Sequence, residues 1–147
     1  MSSIKRSALV NYSPAEMYAL VNDVESYAKF LPWCRSSAVL SESETEMRAA
    51  IEIAKGVLNK TFVTHNRLTK NSRIEIELEE GPFSRLHGFW LFEPLKVENA
   101  CRVNLELEFE FKSALMAIAA KPIFTQIANS LVDAFCQRAI EVYGERD

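Results

Sequence analysis

The chain has 147 residues, 48% hydrophobic and 25% charged, with a formal net charge of -3; this fits a single globular domain, spanning 1–147, with enough apolar residues for its own core. An acidic balance speaks against non-specific attraction to DNA or to an anionic membrane. Three cysteines without a CxxC pair and two histidines argue against a zinc cluster and read as the reduced thiols of a cytosolic protein.

The N-terminal "MSSIKRSALVNYS" has no apolar core of signal-peptide length, and no apolar run in the chain approaches the ~20 residues of a membrane span. Within it, Ile4, Ala8 and Val10 share one face of a strand. "SPAE" then starts a helix, with Ser13 as cap, Pro14 at the first helical position and Glu16 closing a capping box. Met17, Leu20 and Val21 follow at helical spacing to about Asp23, and "ESYAKF" predicts a second short helix ending before Pro32. The next stretch, "YAKFLPWC", places Phe30, Leu31 and Trp33 in a loop, although loops are usually polar. Such a loop covers apolar surface, and it is expected to act as a lid.

From Ser36 to Phe111 the pattern has period two. "SSAVLSE", "EMRAAIEIA", "LNKTFVTHNRLT", "RIEIELEE", "SRLHGFWLFEP" and "CRVNLELEFEF" are separated by short turns at the serine/glutamate stretch, Lys55-Gly56, Asn71-Ser72 and Gly81-Pro82. The last strand alternates Cys101, Val103, Leu105, Leu107, Phe109 and Phe111 with polar residues, so one face is buried and one wet. From Ser113 to Tyr143 a helix carries Phe124, Ile127, Leu131, Phe135 and Val142 on a stripe, and Pro122 predicts a kink or a separate first turn. The expected fold is α+β: a curved seven-stranded antiparallel sheet, strand one pairing with strand seven, around one long C-terminal helix, with two short helices after strand one. A curved sheet and a straight rod fit imperfectly, which predicts an apolar cavity. Its expected lining is Phe30, Leu31 and Trp33 at the mouth, Trp90, Phe92 and Phe109 on the last two strands, and Phe124, Leu131 and Phe135 on the helix.

Three segments carry a family resemblance. "YAKFLPWC" (27–34), "EEGPFSRLHGFWLFEPL" (79–95) and the last strand with its helix (107–144) are similar, in order and spacing, to the ribosome-association toxin and coenzyme Q-binding proteins. These belong to the helix-grip (START-like, polyketide-cyclase-like) superfamily. The resemblance implies two functions. One is non-catalytic binding of a hydrophobic small molecule, a ubiquinone or other prenyl lipid, supporting respiration. The other is association with the large ribosomal subunit, which blocks subunit joining and translation, with an antitoxin-like small protein as a further partner. It implies a cytoplasmic location, or one peripheral to the inner membrane.

For an RNA surface the basic residues Lys55, Lys60, Arg67, Lys70 and Arg73 on the central hairpin are the candidates. The rows Glu75-Glu77-Glu79 and Glu106-Glu108-Glu110 read as a solvated face paired with basic neighbours. His65 and His87 read as surface or half-buried side chains, with Gly88 beside His87 allowing a backbone bend or a close approach. No triad, acid/base pair or metal motif is present in the pattern, and Cys34 has no neighbour that would activate it.

Overall fold

A computed structural model describes residues 2–146. Strand β1 (Ser2–Val10) leads to helix α1 (Pro14–Asn22), a 3-10 helix (Val24–Lys29), and strands β2 (Cys34–Glu42), β3 (Glu46–Lys55), β4 (Leu58–Thr69), β5 (Arg73–Glu80), β6 (Phe83–Pro94) and β7 (Cys101–Phe111). Helix α2 (Ala114–Tyr143) closes the order. The sheet runs β1-β7-β6-β5-β4-β3-β2, every pair antiparallel, with Ile4 opposite Leu107 where the first strand joins the last. The expected α+β helix-grip architecture is therefore the observed one.

Local chemistry starts both α-helices. Ser13 Oγ accepts the Glu16 N–H at 3.1 Å and Glu16 Oε1 accepts the Ser13 N–H at 2.9 Å, so two otherwise unpaired amide groups are satisfied. Ser113 Oγ accepts the Met116 N–H at 3.2 Å and starts α2. The helix is continuous through Pro122, so the first turn is not separate from the main rod. Pro122 lies on the exposed side, so the Ile118 carbonyl that loses its amide partner can turn to water.

The inward face of the sheet and the inward stripe of α2 form one core, including Val103, Leu105, Phe109, Phe124, Ile127, Ala128, Val132 and Phe135. The antiparallel topology gives the molecule two ends. At one lie the β3–β4 and β5–β6 turns and the start of α2. At the other lie the β2–β3, β4–β5 and β6–β7 connections and the finish of α2. At this second end Arg146 forks onto Glu16 at 2.7 and 2.8 Å, and the Tyr143 hydroxyl donates to the Glu16 carbonyl at 2.9 Å.

The hydrogen bond from Arg146 is the main reason the Glu16 carboxyl falls from its ordinary 4.5 to about 2. A folded-state value below the unfolded one stabilises fully above pH 4.5 and loses that contribution as pH falls toward 2. Arg146→Gln should therefore melt below the parent at pH 6, and the gap should close by pH 2. A gap in Tm that stays constant through that window would show that Arg146 does not act through the Glu16 charge.

Candidate functional site

The structure gathers the nine apolar candidates around α2. Trp90, Phe92, Phe109, Phe124 and Phe135 are buried and lie against one another or a shared neighbour. Trp90 meets Phe135 edge-on at 5.3 Å and stacks on Phe92, while Phe109 meets Phe124 at 4.8 Å. Leu131 is half-buried beside them. Leu31 and Trp33 are buried too, and Phe30 is half-buried, edge-on to Phe135 at 5.3 Å under the Arg138 guanidinium. The "YAKFLPWC" loop is thus a seam sealing the side of the sheet next to β2. The Trp33 carbonyl accepts from the Ala54 amide at 2.8 Å, and the Leu31 amide donates to the Tyr27 carbonyl at 2.9 Å. None of the nine lines the surface hollows at Asn22, His87 or Lys60.

The inner face also carries a polar break. Thr64 and Asn66 project inward from β4, between Phe62 and Leu68, and both are buried. The Asn66 side-chain oxygen has no hydrogen-bond partner, nor has that of Asn22 on α1. Asn22 lines a hollow of about 560 Å³ at the end of the sheet, with Tyr18, Leu68, Lys70 and the Ser43–Thr45 turn. Leu68, in that lining, is two residues from Asn66 on the same face of β4. The sequence signal for this feature is the asparagine at an inward position in "FVTHNRL", and only the fold shows that it is buried.

The outer face is charged and largely self-paired. Arg48 Nε lies 2.7 Å from Glu79, Arg73 lies 3.7 Å from Glu75, and His65 lies 3.2 Å from Glu46. In the first acidic row Glu75 and Glu79 meet arginines, whereas in the second only Glu108 lies near a basic side chain, His87. Strands β5 and β6 are paired from Arg73↔Leu91 only as far as Glu77↔His87. Beside this last pair is a hollow of about 280 Å³ lined by His65, Arg67, Glu75, Glu77, Arg85 and His87, among others. His87 Nε2 approaches Glu108 to 3.4 Å without hydrogen-bonding it. Gly88 is the close approach the sequence suggests: a Cβ there would lie 2.0 Å from the Glu106 carbonyl oxygen.

The thiols are not poised for chemistry. Burial raises the pKa of Cys34 and Cys136, and pushes that of Cys101 up to about 11, so all three favour the protonated form. Among the described residues no group of His, Cys, Asp and Glu is placed to hold a metal ion.

The basic candidates do not form one patch. Lys55 and Lys60 flank the β3–β4 turn at one end. Lys70 and Arg73 flank the β4–β5 turn at the other, a full strand away: twelve residues, or roughly 40 Å. Arg67 faces Glu46 and Glu75 across its two strand pairs. Arg73, besides its ion pair, lies 4.1 Å over the Phe89 ring. A strand's length separates residues that are close in sequence.

An antiparallel sheet curled on a C-terminal helix over an aromatic interior defines a helix-grip domain. The chain belongs to the ribosome-association toxin and coenzyme Q-binding protein family of the START-like superfamily. Residues 10–136 match the family model described as polyketide cyclase / dehydrase and lipid transport. The ribosome association toxin RatA of Pseudomonas aeruginosa is 50% identical over 141 residues, covering 96% of this chain and 97% of that protein. The mitochondrial coenzyme Q-binding protein COQ10 of Drosophila melanogaster is 33% identical over 135 residues, or 90% of this chain and 56% of that one. The crystal structure of the Zhui aromatase/cyclase from a Streptomyces species superposes with a TM-score of 0.79 at 15% identity, covering 99% of both chains; this likeness concerns the fold alone.

Proposed function

We propose that this protein acts in the cytoplasm as a non-catalytic factor that associates with the large ribosomal subunit and restrains translation. The observation that carries this reading is the 50% identity, over nearly the whole of both chains, to a protein named ribosome association toxin. The family resemblance, weighed with the acidic balance of the chain, puts lipid binding first and ribosome association second; the relatives at high identity reverse that order.

Sucrose-gradient sedimentation with purified subunits is the test. The protein should travel with the large subunit in low-salt buffer and be released progressively as salt rises. Protein that stays at the top of the gradient in low salt would refute the reading. Lys70→Glu should weaken association if the end bearing the β4–β5 turn makes the contact, and leave it unchanged if that end faces away.

A second reading, binding of a ubiquinone-like lipid, rests on one feature: the buried amide of Asn66 with an unpartnered oxygen, behind the hollow at Asn22 and Leu68. A buried polar group without a partner is costly, and a guest with a polar ring and an apolar tail could satisfy it. Its amide nitrogen suits a quinone carbonyl, and its oxygen suits a quinol hydroxyl. Solvent extraction and mass spectrometry of the purified protein, followed by uptake of added quinone, test this. Finding neither endogenous lipid nor uptake would remove it.

A further inference from the structure

We propose that the end of the molecule where α2 begins docks on an anionic lipid bilayer. Leu115 and Ile118 are each 77% exposed, and Val57, at the tip of the adjoining β3–β4 turn, is 60% exposed. Successive helix residues are separated by about 100°, so Leu115, Ile118, Ala119 and Pro122 fall on one outward stripe of α2. All four are exposed. The same stripe continues as Gln126, Ser130, Asp133 and Gln137 toward the other end, so the apolar character belongs to the first turns alone. An 18-residue stretch of α2 has a mean hydropathy of 1.3, but only 28% of it is buried. The inward stripe of α2 covers the sheet and holds the helix in the domain, leaving these first turns as surface.

The surroundings are basic. Lys60 and Lys112 line a hollow of about 240 Å³ with Gly81, Pro82, Ser113 and Met116. Lys55 sits at the β3–β4 turn, which packs so closely on α2 that a Cβ on Gly56 would come within 3.0 Å of Ile123 Cδ1. Lys121 follows on the helix. Among the described residues these four lysines make no ion pair. Glu80, next to Gly81, and Glu110, two residues before Lys112, are acidic neighbours at this end. The chain's net charge of -3 conceals this local excess of positive charge.

Aliphatic side chains ringed by lysines suit a bilayer interface. The apolar groups enter the headgroup boundary by about 5–10 Å, and the ammonium groups remain among anionic headgroups. A second copy of the chain would set four lysines against four. RNA recognition favours arginine forks and stacking aromatics; among the described residues this end exposes no aromatic ring, and its exposed arginines are Arg35, paired with Glu52, and Arg85, opposite Glu110. The surface shares Lys55 and Lys60 with the basic candidates for ribosome contact, and the L115E/I118E variant separates the two readings.

The full-length protein should co-sediment with vesicles containing phosphatidylglycerol and bind pure phosphatidylcholine vesicles at least tenfold more weakly. L115E/I118E should lose at least tenfold in binding to the anionic vesicles while keeping the parent melting temperature and large-subunit sedimentation. Lys60→Ala and Lys112→Ala should each lose about fivefold. Lys70→Ala, at the opposite end, should bind as the parent does. No binding to anionic vesicles, or undiminished binding by L115E/I118E, overturns the proposal. So does a loss of large-subunit sedimentation in L115E/I118E with vesicle binding intact, which would assign the surface to the ribosome.

Discussion

Phe135→Ala is expected to lower the unfolding free energy by about 3–5 kcal/mol, the usual range for a fully buried phenylalanine. The residue is 1% exposed. Its ring meets Tyr27, Phe30 and Trp90 edge-on at 5.4, 5.3 and 5.3 Å, joining the helix to the apolar loop on one side and to the sheet on the other. Few other atoms can move into the space left. Tyr27 donates its hydroxyl to the Val21 carbonyl, and Trp90 is anchored in β6. The cavity term therefore adds to the lost transfer energy. Because a domain of this size has about 5–15 kcal/mol in total, the variant should show a large drop in urea midpoint with an unchanged slope. Phe135→Leu, which keeps most of the volume, should lose less than half as much. A loss below about 1 kcal/mol for the alanine variant would mean that this junction is far looser than the contacts indicate.

Gly88→Ala should cost about 3 kcal/mol, at the upper end of the range for overpacking. The conflict is steric, because a new Cβ would sit 2.0 Å from the Glu106 carbonyl oxygen and 2.9 Å from its carbon. Backbone cannot step aside as a side chain can. Relief requires β6 and β7 to part between Gly88↔Leu107 and the adjoining pairs, next to the place where β5 and β6 already stop pairing. Thermal unfolding gives the stability change, and amide exchange at Leu107 and Phe109 should accelerate before that of β3. A variant with parent-like Tm would mean that the two strands lie further apart than the Gly88 contact implies.

Much of this fold was readable from the chain because each local signal stood alone. "SPAE" carries its own cap, and "CRVNLELEFEF" alternates without a break, so both produced the element they advertise. The spacing of Phe124, Ile127, Leu131 and Phe135 located the inward side of the long helix. Other features depended on distance through space. Lys60 and Lys70 are ten residues apart in sequence but at opposite ends of a strand, so a cluster in the sequence became two separate sites. The loop bearing Phe30, Leu31 and Trp33 announced that it covers something; its identity as a sealed seam depended on where Phe135 and β3 lie. Leu115 and Ile118 share a short apolar segment with buried Ala120, and only the packing shows which residues face outward. Asn66 shares its strand parity with buried Phe62 and Leu68, whereas the absence of a partner for its oxygen depends on every neighbour.

The pairing of β1 with β7 has a consequence for synthesis. During translation the opening strand leaves the exit tunnel roughly a hundred residues before its neighbour exists, so it must wait unpaired while the other six strands can zip up as successive hairpins. The helix that fills the hollow of the sheet is made after every strand. Nascent chains should therefore carry a partly formed, greasy sheet until the last turns emerge, making the newborn molecule a natural client for chaperones that bind near the ribosome.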